Sequence, residues 1–216
     1  MSWGRGMLSG PEPSPESDPL RTARGHENLR LKKGGTVSGF EYLFTFYGLL
    51  LGLAVANVAT GFADMWRGRD DISPGWTTPL LGLFILLAAA QQWVSYWMAR
   101  EGLTMEPSTL LISMAVAFPY IFVSTGMFPR QSDKWRSLDD YYAAHSRVLM
   151  GALALPALAS LVYNVALQGA PDIRDAVTAA IRIGIPAGLM LTRRPLLHRA
   201  GLCLLCGLML YKIFGT

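Results

Sequence analysis

Four stretches of this chain contain no charged side chain: residues 42–63, 72–99, 107–129 and 148–171, of 22, 28, 23 and 24 residues. An α-helix rises ~1.5 Å per residue, so about 20 apolar residues cross the ~30 Å hydrocarbon layer of a bilayer. Each run is long enough. Charge is scarce overall, at 16% of residues against about 25% in soluble domains. With 51% hydrophobic residues and a mean hydropathy of +0.30, this pattern excludes a conventional soluble enzyme. Two weaker apolar runs follow. Residues 176–192 are interrupted only by Arg182, and residues 196–214 require Arg199 and Lys212 to reach outward to the headgroups. The expected fold is therefore all-α: an integral membrane bundle of six transmembrane helices, near 42–63, 77–98, 108–128, 148–168, 176–192 and 196–214.

Residues 1–38 have a different character. Four prolines fall within the first nineteen residues, and a basic stretch from Arg21 to Lys33 follows. Little here can bury apolar surface, so a disordered polar tail is expected ahead of a membrane domain at 39–216. No apolar segment of signal-peptide type lies in it.

Aromatic residues bracket the runs. Trp66, Trp76, Trp93, Trp97 and Trp135 all fall near the predicted span ends, where amphipathic rings favour the membrane–water interface. Pro119, Pro156 and Pro186 lie inside spans three, four and five and are expected to kink them. The loops after spans one, three and five carry nine basic residues. Those after spans two and four, with the C-terminus, carry three. The positive-inside bias then puts the first set in the cytoplasm and both termini outside. The six basic residues of the tail oppose that count, a conflict relieved if translation starts at Val37. The net charge of +4 flanks apolar runs, so the expected partner is the lipid bilayer and not nucleic acid.

Small residues mark two helix faces. Gly48, Gly52, Ala56 and Thr60 recur every fourth residue in span one, as do Ala180, Gly184, Gly188 and Thr192 in span five. Such faces let helix backbones approach closely, within one subunit or in a homo-oligomer or larger complex. Polar side chains inside spans need partners, because hydrocarbon offers none. Asn57, Gln91, Gln92, Asn164 and above all Arg182 form the candidate intramembrane polar site. A shift of 99 residues lays Glu41-Tyr42 on Asp140-Tyr141 and Gly52 on Gly151, the trace an inverted repeat would leave.

Enzyme signatures are missing from the pattern. His26, His145 and His198 have no ligand spacing, and Cys203 and Cys206 read as two buried thiols. Asp139 and Asp140 read as a helix-start cap. No phosphate-binding loop, dinucleotide fingerprint or nucleophile elbow occurs. No cofactor or metal is expected.

Phe40-Glu41-Tyr42, the run from Leu51 to Asn57, and Pro74-Gly75-Trp76 resemble a family of small bacterial multi-pass membrane proteins of unknown function. Gln92-Trp93 with Tyr96-Trp97, Asp140-Tyr141-Tyr142 and Thr192-Arg193-Arg194 resemble it too, so that the likeness covers about 39–215. It implies a bacterial plasma-membrane protein and brings no catalytic residue. The leading expectation is a non-enzymatic membrane-embedded subunit or scaffold. The alternative is a channel or transporter for a small polar solute or ion, which requires a water-filled cavity lined by the polar residues.

Overall fold

The computed structural model describes residues 39–68, 73–101, 106–129 and 135–214. The expected tail at 1–38, and the Val37 start, lie outside them. Six helices make up the described chain: α1 (Gly39–Arg67), α2 (Thr77–Met98), α3 (Pro107–Gly126), α4 (Leu138–Gln168), α5 (Ile173–Leu191) and α6 (Pro195–Phe214). Five are long and apolar enough to cross a membrane. The exception is α5, whose 19 residues include Arg174, Asp175 and Arg182. The expected fifth span is thus a helix too charged to cross by composition alone.

The helices close into a ring. α1 packs on α2 and α3, α3 on α4, α4 on α5, and α2 on α6, while a lighter α5–α6 contact completes the circuit. α6 packs along α2 and meets α4 through side chains near its start, whereas α3 packs along α1, so the packing of the second half does not copy the first, and the expected repeat is not carried into the contacts. α2 is the most enclosed of the five apolar helices. Its Leu81, Phe84, Ile85 and Ala88 meet Leu51, Ala54 and Val58 of α1, Val123 of α3, Leu153 of α4 and Leu202 of α6 in one core. Around that core the outer surface is apolar: Leu49, Leu111, Phe122, Leu191 and Leu196 are all exposed. In water such a surface would be unstable, and in hydrocarbon it is the expected covering. Pro119, Pro156 and Pro186 fall inside α3, α4 and α5, and each helix continues through its proline.

The expected small-residue packing within the subunit is not where the helices meet. Gly52, Ala56, Gly184 and Gly188 face outward. A Cβ added to Gly52, Gly184 or Gly188 would meet nothing within 4 Å, and one on Gly48 would only graze Trp93 at 3.8 Å. The reason is rotational. The inward face of α1 is Leu43, Tyr47, Leu51, Ala54, Val58 and Gly61. Gly52 follows Leu51 by one residue, and successive residues point ~100° apart. The glycines that do admit a neighbour are others. Gly61 abuts the Phe128 ring, Gly82 meets Phe62, and Gly201 accepts Leu189 and Ile185 of α5.

The two ends of the bundle differ. At the end where α1 begins, here the proximal end, Phe40 and Phe44 of α1 pack against Trp93, Tyr96 and Trp97 of α2. At the distal end, α4 starts ten residues earlier than the uncharged run suggests, because Ser137 caps it by accepting from Asp140 N at 3.1 Å. Those extra turns hold the distal end together. Asp139 does not cap its own helix. Its Oδ1 accepts from Thr77 N at 2.9 Å and its Oδ2 from Trp76 N at 3.3 Å, which caps α2 from a neighbouring helix. The same Oδ2 takes Arg199 Nη2 of α6 at 2.8 Å. Arg199, expected to reach outward, is therefore an interhelical tie. Gly75, at φ +60°, is required here, since any side chain would strike the Asp139 carboxylate. One turn on, Tyr142 Oη lies 2.8 Å from Nδ1 of buried His198, whose Nε2 lies 3.0 Å from Thr192 O. A carbonyl can only accept, so Nε2 carries the proton and Tyr142 donates to Nδ1.

Two expectations follow. Gly61→Leu should lower the melting temperature in detergent, by ~1–3 kcal/mol of overpacking against Phe128, whereas Gly52→Leu should leave it within error. Equal losses for the two would mean that the face of α1 is assigned wrongly. Asp139→Ala removes a cap and an ion pair together and should cost ~1–3 kcal/mol by the same measurement, with no loss for Asp140→Ala.

Candidate functional site

Polar side chains inside the spans sort into two places. Asn57 of α1 is satisfied locally, donating from Nδ2 to Thr125 Oγ1 at 2.9 Å and Ser124 Oγ at 3.3 Å on α3. It is an interhelical clasp and does not touch the other candidates. Gln91, Gln92, Asn164 and Arg182 instead line one cavity of about 240 Å³ at the proximal end. The chain brings four helix ends and one helix middle to that cavity. α2 contributes Gln91, Gln92, Ser95 and Tyr96, while α3 contributes Thr109, Ser113 and Val116. α4 contributes Ser160, Tyr163 and Asn164, α5 contributes Arg182, and α6 contributes Lys212. Tyr47 of α1 closes the wall.

Several of these groups are held in place. Gln92 Nε2 donates to Tyr47 Oη at 3.4 Å, and Tyr47 stacks on Tyr96 with ring centroids 4.5 Å apart. Tyr96 Oη lies 3.2 Å from Ser113 Oγ, whose own proton goes to Thr109 O at 2.7 Å. Gln91 Nε2 donates to Ser95 Oγ at 3.2 Å. Its Oε1 is buried and has no hydrogen-bond partner among the described residues, which leaves an acceptor for water or solute.

Depth follows from helix geometry. α5 starts at Ile173, so Arg182 sits nine residues in, ~14 Å below the proximal end. That is the middle of the 19-residue helix. Arg182 lies on the cavity wall, near the phenol of Tyr120 of α3, which is 1% exposed. No ion pair among the described residues includes Arg182. A guanidinium inside an apolar bundle needs water or a partner, and the cavity leaves room for either. Pro186 adds a further polar group, since it has no N–H for the carbonyl of Arg182 one turn back.

The cavity opens outward through a second space of about 310 Å³ that shares Ser160, Asn164, Arg182 and Lys212 with it and adds Asp172, Asp175 and Thr178. A wider cleft of about 960 Å³ between α2, α5 and α6 continues to the surface past Arg174, Tyr211 and Lys212. This is where the ring is weakest, at the α5–α6 contact. Towards the distal end the path is filled. Tyr120, Val123, Ile85, Met150, Leu153 and Leu205 are buried there. Among the described residues the space is thus blind, with no opening at the distal end.

Lys212 was expected to reach the headgroups. It lies on the cavity wall instead, within electrostatic reach of Arg182, Asp175 and Arg174. No sequence signal marks it, because its place on the wall depends on how α6 is turned about its axis. Tyr47, Tyr163 and Ser160 were also missed, because a tyrosine or serine in an apolar helix is ordinary. The Cys203–Cys206 pair splits: Cys206 is buried, with Sγ 3.9 Å from Leu80 O, and Cys203 is exposed.

Compared with known protein families, with curated proteins and with solved structures, this chain gives no match. Function has to be read from the cavity.

If the cavity holds water, single cysteines at Gln91 or Asn164, in a Cys203→Ser, Cys206→Ala background, should react with a membrane-impermeant methanethiosulfonate reagent added to the proximal side. A cysteine at Asn57 should react at least ~tenfold more slowly, since hydrocarbon suppresses the thiolate. Equal rates at all three positions would show that the site is not a separate aqueous space.

Proposed function

We propose that this protein is a non-enzymatic membrane carrier that binds a small polar solute or ion in the proximal cavity. The observation that carries this reading is the blind polar cavity ending at Arg182, halfway through a bundle whose outer surface is apolar. Plain helix packing would leave no reason to keep water beside an arginine at that depth, because a leucine there would cost less. A site near the midplane, open to one side and closed by packed side chains on the other, is the arrangement an alternating-access carrier has in one of its states. The closed half is held by the Asp139–Arg199 and Tyr142–His198 ties, and the open half by the lighter α5–α6 contact. That asymmetry would let one end loosen while the other holds. The lining offers hydroxyls, amides and two cations, and no histidine or cysteine that could serve as base or nucleophile.

In this reading the protein sits in a bacterial plasma membrane. The basic residues around the distal helix ends, such as Arg67, Arg136, Arg193 and Arg194, lie in the cytoplasm, and the cavity opens outside. The resemblance to a bacterial membrane family is consistent with that placement. A second role is compatible with the first. The outward small-residue faces of α1 and α5 favour packing against another copy or a larger membrane complex, as a subunit or scaffold would.

Reconstituted vesicles test the carrier. Uptake of radiolabelled acetate, glycine, glycerol and urea should exceed that of empty vesicles for at least one solute, and Asn164→Trp should cut it at least ~tenfold by filling the cavity. Uptake no faster than empty vesicles for every solute would remove the carrier reading and leave the subunit role.

A further inference from the structure

We infer that the cavity takes a small monoanion, held through a carboxylate or other oxyanion group by the guanidinium of Arg182. This rests on the cavity being a solute site and names the solute's charge. The inner cavity is lined by two cations, Arg182 and Lys212, and by no carboxylate. Both acidic groups of the region, Asp172 and Asp175, lie in the outer space. Arg174 lines the cleft beyond, where it donates to Tyr211 Oη at 3.3 Å. Three cations against two carboxylates leave one positive charge, and the inner end of the path carries it.

The two inner cations also act on each other. Arg182 and Lys212 are coupled electrostatically, and Asp175 acts on Lys212 from the other side. Like charges sharing a partly desolvated space repel unless a counter-charge lies between them. Asp175 offsets Lys212, which leaves Arg182. No ion pair among the described residues includes it, and the groups acting on it include the phenols of Tyr47 and Tyr120, so no carboxylate neutralises its charge. A guanidinium is planar, stays ionised and presents paired N–H donors that match a carboxylate or phosphate. The hydroxyls of Tyr47, Tyr163 and Ser160 stand around the same space and can donate to an anion's remaining lone pairs. A cation would meet two like charges there, and a neutral solute would leave the net charge unanswered. The same chemistry could come from a soluble anion or from a lipid phosphate reaching in through the cleft between α5 and α6.

The test is thermal unfolding of the purified full chain in an uncharged detergent, in low-salt buffer at fixed pH. Sodium acetate, sodium phosphate and sodium chloride are titrated singly, beside acetamide, the neutral counterpart of acetate. At least one anion should raise the wild-type melting temperature saturably, because a ligand of the native state stabilises it by mass action. Acetamide should not. Arg182→Gln should weaken the apparent affinity ~tenfold or more. Arg182→Lys should keep part of it, and Arg100→Gln, outside the cavity, should change nothing. If Arg182→Gln does not fold, the wild-type comparison of acetate with acetamide and the Arg182→Lys titration still decide. Stabilisation by acetamide alone would overturn the anion and leave the carrier standing. An anion response undiminished in Arg182→Gln, or no response to any anion or lipid, would overturn the inference. A response confined to added phosphatidylglycerol, absent with phosphatidylcholine and dependent on Arg182, would uphold the anion site. It would assign that site to a headgroup and remove the carrier.

Discussion

A guanidinium halfway down a helix, in a bundle whose outer face is apolar, is the constraint that the rest of the structure answers. Arg182 could escape to the headgroups only by uncoiling or by lying on the lipid face, and it does neither. α5 places it inward, where α2, α3, α4 and α6 leave a space lined with hydroxyls and amides. The price is loose packing on the proximal side of the bundle. The lightest helix contact in the ring, α5 with α6, borders that space.

The distal end offsets the looseness. There a single carboxylate, Asp139, joins the starts of three helices by accepting from Trp76 N, Thr77 N and Arg199. Tyr142 and His198 tie α4 to α6 a turn further in. Polar groups are used at both ends, with opposite results. Distally Asp139 is paired with Arg199 and Tyr142 with His198. Proximally the strongest of them, Arg182, lacks an acidic partner among the described residues, and the space before it stays open. In the proposed carrier the proximal end is the one that rearranges, since loosely packed contacts cost less to break than tightly packed ones.

Much of the architecture is legible in the residues, for a definite reason. Runs such as 107–129 are uncharged throughout, hydrocarbon tolerates only helices and closed barrels, and a run of this length is a helix's. So α2 and α3 are found within a residue or two of their expected ends. The misjudged elements are those where a side chain's rotation or partner matters. The early start of α4 depends on Ser137 and on what Asp139 can reach across the bundle. The small-residue stripes of α1 and α5 are real as patterns, yet close approach occurs at Gly61, Gly82 and Gly201, which share no repeat. In a lipid-facing helix, size periodicity does not say which side is inward, because both the lipid and the core are apolar.

The candidate site divides in the same way. Composition alone marks Gln91, Gln92, Asn164 and Arg182 as costly in hydrocarbon, since their desolvation is a property of the residue type and its place in an apolar run. Composition marks Asn57 as well, and it cannot separate a clasp from a cavity. That distinction depends on whether Ser124 and Thr125 lie opposite. The sequence by itself determined that this chain forms apolar helices with a few expensive polar groups inside them, because spanning length and transfer cost are local quantities. Only the tertiary structure decided that four of those groups, with Lys212, surround one blind space, because that depends on which helix ends meet and how each helix is turned about its axis.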